Sequence, residues 1–278
     1  MPKKSASKKK TAAPAALSEL PTFRAGMPAL DSIIGVRPLT PPAAPGAPGA
    51  PAAAAAPTSA YRIITTNEVD AYDAGATPHE VLAAGPAAPA PAGDDFAGTA
   101  RKAAKLSIAN APTGKFKDLK NLIKSLTADS AMIAHVPKIK TTATSDRVKE
   151  EKRNVSLKVF LYAASREADN DFHLILGRDP KATPEIYMTM ELSGLPPASS
   201  ASFAKLNTTR EAFKAFFGTN LPGITYDFYD PPIPVDIEGS LFFDMTHATG
   251  QHPGPKSLKS RIPTIWEVHP ITKITFKP

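Results

Sequence analysis

The chain has no cysteine among its 278 residues, which excludes disulfide bridges and thiolate metal ligands. It also lacks any apolar run approaching the roughly 18–20 residues that a helix needs to cross a bilayer. Together these absences favour a cytoplasmic protein with no membrane span. Aromatic residues make up 7% of the chain, and the P-loop, GxGxxG, GxSxG and HExxH motifs are all missing. No common nucleotide-binding or hydrolase signature is therefore present to assign a function.

Proline and alanine dominate the N-terminal part. Residues 1–98 carry 15 of the 30 prolines, and 18 of the 20 residues from Pro41 to Ala60 are Ala, Pro or Gly. Few of these side chains are large enough to offset the entropy of ordering the backbone. We therefore predict that residues 1–98 are a disordered basic tail and linker. A denser stretch, residues 61–82, is predicted to contain a short strand from Arg62 and a helix start at Thr77, and could dock on a partner.

The net charge of +7 is unevenly distributed. Residues 1–10 carry +5, residues 11–98 carry −5, residues 99–154 carry +8 and residues 155–278 carry −1. The basic character therefore belongs to the tail and the middle segment. A polyanion partner such as nucleic acid is expected at these flanks, and a protein partner is expected for the N-terminal arm.

The rest of the chain divides into two predicted parts. Residues 99–154 read as a basic helical segment, with helices after Thr99, over 115–126 and over 145–154. Residues 155–278 alternate between apolar and polar positions in five strands, predicted at 155–162, 172–177, 186–192, 235–245 and 264–276. A helix that carries three phenylalanines and stops at Gly218 lies between the third and fourth strands.

This order of elements predicts the fold class. The chain is expected to be mainly β with α, with an OB-like five-stranded barrel at the C-terminus and short basic helices before it. A two-layer α+β sandwich is the main alternative.

Acids and histidines gather at the predicted strand ends. If the barrel brings them together, they could bind a divalent metal or activate water. The candidates for catalysis are Asp244, Glu267 and His269, and those for metal ligation are His173, His247 and His252. No close-spaced pair such as HxxxH occurs, so hairpin acids and solvated loop histidines are the competing interpretation. The leading expectation is that no cofactor binds, with a divalent metal as the alternative.

A second candidate site would bind nucleic acid through rings and cations. Aromatic side chains interleaved with basic ones form a platform on which bases stack. Phe160, Tyr162 and Tyr187 fall opposite the apolar stripe of their strands, where such rings would lie. The full candidate set is Phe160, Tyr162, Tyr187, Trp266, Lys256, Lys259 and Arg261. The competing interpretation is that helices cover this face and the rings belong to the core.

Three segments resemble a loosely defined group of uncharacterised bacterial proteins with an OB-like β-barrel. They are the hairpin Glu167–His173, the strand residues Phe242-Phe243-Asp244, and Glu267-Val268-His269-Pro270, and similar segments recur in this order in that group. The resemblance covers about 110 of the 278 residues. It implies the barrel but no activity, because the group has none established. The loop over residues 247–263 is longer and more basic than in the group.

The sequence thus predicts a non-enzymatic binding or adaptor protein that binds single-stranded nucleic acid through the barrel and its basic flanks. One alternative is a metal-assisted, nuclease-like hydrolase that uses the acids and histidines of the barrel. The Arg-and-Asp pattern of staphylococcal-type nuclease barrels is not found. The other alternative is a structural component of a larger assembly, with an extended N-terminal arm.

Overall fold

The computed structural model describes residues 26–42, 61–70, 93–248 and 252–277. The strands in these ranges are β1 (Ile33–Leu39), β2 (Tyr61–Thr66), β3 (Thr113–Phe116), β4 (Asn154–Arg166), β5 (Phe172–Gly177), β6 (Tyr187–Leu192), β7 (Asp227–Phe243) and β8 (Trp266–Phe276). The α-helices are α1 (Lys102–Lys105), α2 (Leu119–Lys124), α3 (Asp129–Ile133) and α4 (Phe203–Phe217). None of the helices described is long and apolar enough to cross a bilayer.

The strands form one mixed sheet that curls into a partial ring. Their order is β1-β2-β7-β8-β6-β5-β4-β3, and an additional pairing joins β7 to β4. The five strands β4, β5, β6, β8 and β7 therefore follow one another around a ring. Its pairings are antiparallel except between β6 and β8, which meet in parallel at Met190 and Val268. The prediction of a mainly β fold with some helices is confirmed.

The interior of the ring is apolar, as the alternation of β4 predicts. Val155, Leu157 and Val159 are buried, whereas Ser156 and Lys158 between them are more exposed. β5 and β6 are buried along their whole length, on both faces. The loop after β7 contributes to the cover of the second face, where Leu258 packs with the rings of Tyr162 and Tyr187.

Helix α4 packs on one end of the ring against β8. It begins at Phe203 and ends before Gly218, the residue at which the sequence predicted its end and whose φ is 55°. Phe213 and Phe217 are buried, and the ring of Phe216 stacks on that of Phe276 with centroids 3.8 Å apart. The helix therefore buries the aromatic stripe from which it was predicted.

Part of the N-terminal region belongs to the sheet. β1 pairs with β2, and β2 pairs with β7, while Leu39 and Ile63 reach the main hydrophobic core. The short strand expected from Arg62 is confirmed, and the expectation of disorder does not hold for these two strands. Residues 1–25, 43–60 and 71–92 lie outside the described residues. With them lie the polybasic tail, most of the Ala/Pro linker and the predicted helix start at Thr77.

The middle segment is less helical than predicted. Residues 113–116, partly inside the helix predicted over 115–126, instead form β3 and pair in parallel with β4. Lys149–Glu151 is a single 3-10 turn where a short helix was expected. β7 begins at Asp227, eight residues before the strand predicted at 235–245, because β2 and β4 supply backbone partners on its two sides. In each case tertiary pairing overrides local propensity.

Candidate metal centre

Nine acids and histidines meet in three adjoining groups on the second face of β5, β6 and β8, opposite the apolar interior of the ring. In each group one candidate ligand atom per residue lies within 4.8 Å of the others. We name them the His173 group (Asp70, Glu167, His173), the His269 group (Asp171, Glu191, His269) and the His247 group (Asp244, His247, Glu267). Together they are called the acid–histidine cluster.

Strand register explains why residues so far apart in sequence converge. His173 of β5 pairs directly with Glu191 of β6, and Val268 of β8 pairs with Met190, the neighbour of Glu191. Glu267 and His269 flank Val268, and alternate residues of a strand point to the same side. Three strands therefore bring their polar side chains to one place. The β4–β5 hairpin and the ends of β2 and β7 supply the remaining members.

The His173 group is held by hydrogen bonds. Nδ1 of His173 hydrogen-bonds Glu167 and lies 3.7 Å from Oδ2 of Asp70. That oxygen of Asp70 accepts the backbone N–H of Gly254 at 2.7 Å and the hydroxyl of Tyr226 at 3.4 Å. Nε2 of His173 is buried without a hydrogen-bond partner. A carboxylate on one ring nitrogen, with the other left for an ion, is the usual arrangement of a metal-binding histidine.

The His269 group contains several buried atoms without hydrogen bonds. Oδ2 of Asp171 lies 3.4 Å from Nε2 of His269, and Oε2 of Glu191 lies 2.6 Å from its Nδ1. None of these four atoms makes a hydrogen bond of acceptable geometry. Unsatisfied buried polar atoms are rare in folded proteins, and an ion is one of the explanations they call for.

The His247 group is linked to the His269 group by Glu267. Oδ1 of Asp244 accepts the backbone N–H and hydroxyl of Thr246, and its Oδ2 lies 3.1 Å from Nδ1 of His247. Oε1 of Glu267 lies 3.8 Å from Nδ1 of His247, and Oε2 lies 3.7 Å from Nδ1 of His269. Glu267 is fully buried, and neither of its oxygens has a hydrogen-bond partner.

Negative charge is in excess around the cluster. Lys105 lies among its carboxylates, with Nζ 3.4 Å from Oδ2 of Asp169, 3.8 Å from Oδ2 of Asp171 and 4.0 Å from Oε2 of Glu191. This lysine and three imidazoles face seven carboxylates. The carboxylates are Asp70, Glu167, Asp169, Asp171, Glu191, Asp244 and Glu267. Buried charge of one sign is strongly unfavourable unless cations or protons neutralise it.

The pKa values reflect this imbalance. Burial raises the pKa of Asp171 and of Glu267 well above the usual range, and neighbouring carboxylates add to the effect. Burial also raises the pKa of Glu167 to about 7, against the lowering influence of His173. For Glu191, burial is outweighed by His269 and Lys105, which hold its pKa well below the usual range. Raised carboxyl pKa values indicate sites where protons occupy positions that a cation could take.

The cluster is deep but reaches solvent at its margin. The side chains of Glu167 and Asp169 are each 20% exposed, and that of His247 is 12% exposed. Glu267 and His269 are fully buried. A water molecule or ion therefore has its shortest route through the margin formed by the first three residues.

Most of the candidate residues from the sequence meet here. His173, Asp244, His247, Glu267 and His269 all belong to the cluster. His252 does not: it lies in the loop after β7, half-buried, and belongs to none of the three groups.

Glu191, Asp70 and Lys105 were not singled out from the sequence, whereas Glu167, Asp169 and Asp171 lie in the hairpin Glu167–His173 that carries the resemblance. Glu191 is an acid inside an otherwise apolar strand, a signal that could have identified it. Asp70 follows a strand in a region set aside for its composition, and Lys105 lies in a short helix among alanines. Neither of these two has a comparable local signal.

The candidate nucleic-acid residues are placed differently. Tyr162, Tyr187 and Trp266 are 3%, 1% and 1% exposed, so these rings pack in the interior and present no face for base stacking. Phe160 is half-buried against the second hydrophobic cluster. Among the cations, Lys256 is exposed and Lys259 half-buried, while Arg261 forms an ion pair with Glu185 at 2.5 Å.

Comparison with protein-family models, with curated proteins and with solved structures found no match to this chain. The argument for function therefore rests on the geometry of the acid–histidine cluster.

Proposed function

We propose that this protein binds divalent cations through the acid–histidine cluster. The observation that carries the proposal is Glu267, a fully buried carboxylate with no hydrogen-bond partner on either oxygen. A carboxylate in that position needs a proton or a cation. Histidine and carboxylate ligands without cysteine suit Zn²⁺, Mn²⁺ or Fe²⁺.

Metal-assisted hydrolysis is the second candidate function. It is favoured by the partial exposure of Glu167, Asp169 and His247, which gives water a way to the cluster. A cation bound there would lower the pKa of a coordinated water toward neutrality. The residues of the chain would hold the ion, exclude bulk solvent and keep His173 in one tautomer through its bond to Glu167.

The finer predictions from the sequence stay proposals. The ring of β4, β5, β6, β8 and β7, with α4 between β6 and β7, supports an OB-like barrel and agrees with the resemblance to the bacterial group. Nucleic-acid binding would depend on exposed cations such as Lys256, since three of the four candidate rings are buried. The role of an N-terminal arm in an assembly concerns residues largely outside the described ranges.

Metal content tests the main proposal. Protein purified without chelator is analysed by inductively coupled plasma mass spectrometry, and chelator-treated protein is titrated with Zn²⁺, Mn²⁺, Mg²⁺ or Ca²⁺ while its unfolding is followed. A cation at 100 times its dissociation constant should stabilise the fold by about 2.7 kcal/mol. Glu267→Gln should reduce that gain, whereas Glu238→Gln, in the more exposed pair with Lys273, should not. A chain that neither retains nor responds to any cation would refute metal binding.

The hydrolase candidate needs its own assay. An activated phosphodiester and a labelled oligonucleotide are incubated with metal-loaded protein, and product formation is followed with and without chelator. Hydrolysis that disappears both with chelator and in Glu267→Gln supports a catalytic centre. Metal binding without turnover of either compound would leave a metal-binding protein and remove support for hydrolysis of this substrate class.

A further inference from the structure

Glu267 directs its two oxygens toward two different histidines. Oε1 lies 3.8 Å from Nδ1 of His247, and Oε2 lies 3.7 Å from Nδ1 of His269. From this geometry we infer that the cluster holds two divalent cations and that Glu267 bridges them. The inference rests on the metal-binding function proposed above and adds the number of ions and the residue that joins them.

The unsatisfied atoms lie where two ions would need ligands. In the His173 group, the contact between Glu167 and His173 is a hydrogen bond, and Asp70 accepts two further hydrogen bonds. In the His269 group, the facing atoms of Asp171, Glu191 and His269 make none. The His173 group is therefore joined by hydrogen bonds and keeps one unsatisfied atom, Nε2 of His173, whereas the facing atoms of the His269 group form a set of ligands whose common partner is a cation.

Each ion has its own ligand set on one side of Glu267. The first would be held by Asp171, Glu191 and His269, and the second by Asp244 and His247, whose facing atoms are 3.1 Å apart. Glu267 would give one oxygen to each. Carboxylate-bridged pairs of ions are typically about 3.5–4 Å apart, a separation that the two oxygens of one carboxylate can span.

Charge neutralisation also favours two ions over one. Asp171, Glu191, Asp244 and Glu267 bring four negative charges to these two ligand sets. Two divalent cations neutralise all four, whereas a single one would leave two carboxylates in a buried site with Lys105, 3.8 Å from Asp171 and 4.0 Å from Glu191, as the remaining counter-charge. The shortest ion pair of Lys105 is with Asp169, a carboxylate that belongs to neither ligand set. Most of the positive charge of Lys105 is therefore directed at that neighbouring carboxylate.

Manganese titration of the full chain tests the inference. The chelator-treated protein is titrated with Mn²⁺ by isothermal calorimetry, and the loaded sample is examined by electron paramagnetic resonance. We expect two ions per chain and the spectrum of exchange-coupled Mn²⁺ ions, which requires a short bridge between them. This measurement uses the unaltered protein, so it does not depend on any variant folding.

A variant then tests the bridge itself. Glu267→Gln, checked for folding by circular dichroism, should abolish the coupled spectrum and weaken binding of at least one ion about tenfold or more. Glu238→Gln should retain both properties. One ion per chain, or two uncoupled ions, would overturn the bridged pair while leaving metal binding in place. No bound Mn²⁺, Zn²⁺ or Fe²⁺ would overturn both proposals together.

Discussion

Oε2 of Glu191 lies 2.6 Å from Nδ1 of His269, yet the contact lacks the directionality of a hydrogen bond. Four other contacts in the His269 and His247 groups fall between 3.1 and 3.8 Å. Ligands bonded to one ion at about 2.0–2.2 Å are held at comparable separations from each other. The facing atoms of Asp171, Glu191, His269 and Glu267 are therefore arranged as ligands around shared positions, and they are poorly arranged as hydrogen-bond partners.

Replacing Lys105 should make the fold depend on metal. The ammonium lies near Asp169, Asp171 and Glu191, so Lys105→Met leaves these carboxylates with less positive charge. We expect the metal-free variant to lose about 3–5 kcal/mol of unfolding free energy. Urea unfolding in chelator and in Mn²⁺ measures the effect, and Mn²⁺ should recover most of the loss. The exposed Lys117→Met is the matched control, and an equal loss under both conditions would contradict the prediction.

Without metal, the protein should lose stability as the pH rises from 4.5 to 7. Burial raises the pKa of Glu167 from 4.5 to about 7, so over this range the folded state holds a proton that the unfolded state has released. Asp171 and Glu267, also raised by burial, act in the same direction. Burial lowers the pKa of His269, so this residue changes the stability in the opposite direction. It is one imidazole against three carboxyl groups, and the loss of stability should therefore dominate.

Urea unfolding in chelator at several pH values in this range measures the slope. Glu167→Gln removes one of the titrating groups, so its unfolding free energy should change less steeply with pH than that of the unaltered chain. Saturating Mn²⁺ should reverse the trend, because bound cations need deprotonated carboxylates. Stability that increases with pH in chelator would show that the carboxyl groups are already neutralised by other means.

The sequence predicted the parts of the fold that depend on local pattern. β5 was expected at 172–177 and found there, because a turn precedes it and its residues other than His173 are apolar or glycine. β3 was missed because its four residues are mostly exposed and become a strand through pairing with β4. β1 was missed for a related reason, since its partner β2 lies beyond a long Ala/Pro stretch.

The site was predictable to the extent that its residues share strands. Glu267 and His269 alternate on β8, so their common direction follows from the sequence. The meeting of these residues with Glu191 depends on the β6–β8 pairing, a contact between strands separated by α4 and β7. Asp70 lies almost a hundred residues before the hairpin it contacts. Such convergence is a property of the tertiary fold, and local spacing does not encode it.

Arg147 should be a positioning residue for His269. Its guanidinium donates to the backbone carbonyls of Leu241, Ala104, Ser107 and His269, and so joins β7, β8 and the end of α1. Arg147→Met leaves these acceptors unsatisfied in a buried place. We expect a loss of about 3–5 kcal/mol in unfolding free energy and a weakening of Mn²⁺ binding by about 10–100-fold.

Two measurements separate positioning from simple support of the fold. Urea unfolding gives the stability loss, and calorimetry under conditions where the variant is fully folded gives the affinity. Arg153→Met is the control, because Arg153 bonds Ser125 at the surface and should cost about 1 kcal/mol or less. Unchanged affinity in folded Arg147→Met would limit this arginine to a structural role.

Trp266 should contribute to stability rather than to stacking on nucleotide bases. Its ring is 1% exposed and meets that of Phe243 edge to face with centroids 5.3 Å apart, while Nε1 donates to the carbonyl of Thr127 at 2.8 Å. Trp266→Ala should therefore lower the unfolding free energy by about 3–5 kcal/mol. The exposed Lys256→Ala should change stability by no more than about 0.5 kcal/mol.

Fluorescence anisotropy of a labelled single-stranded oligonucleotide, over a series of salt concentrations, separates the two roles. If phosphates are bound, Lys256→Ala should weaken binding and reduce its salt dependence, because one phosphate contact is lost. Trp266→Ala, measured where circular dichroism shows it folded, should bind like the unaltered chain. A folded Trp266→Ala protein with selectively reduced affinity would mean that the ring reaches the nucleic acid after all, through a rearrangement of β8.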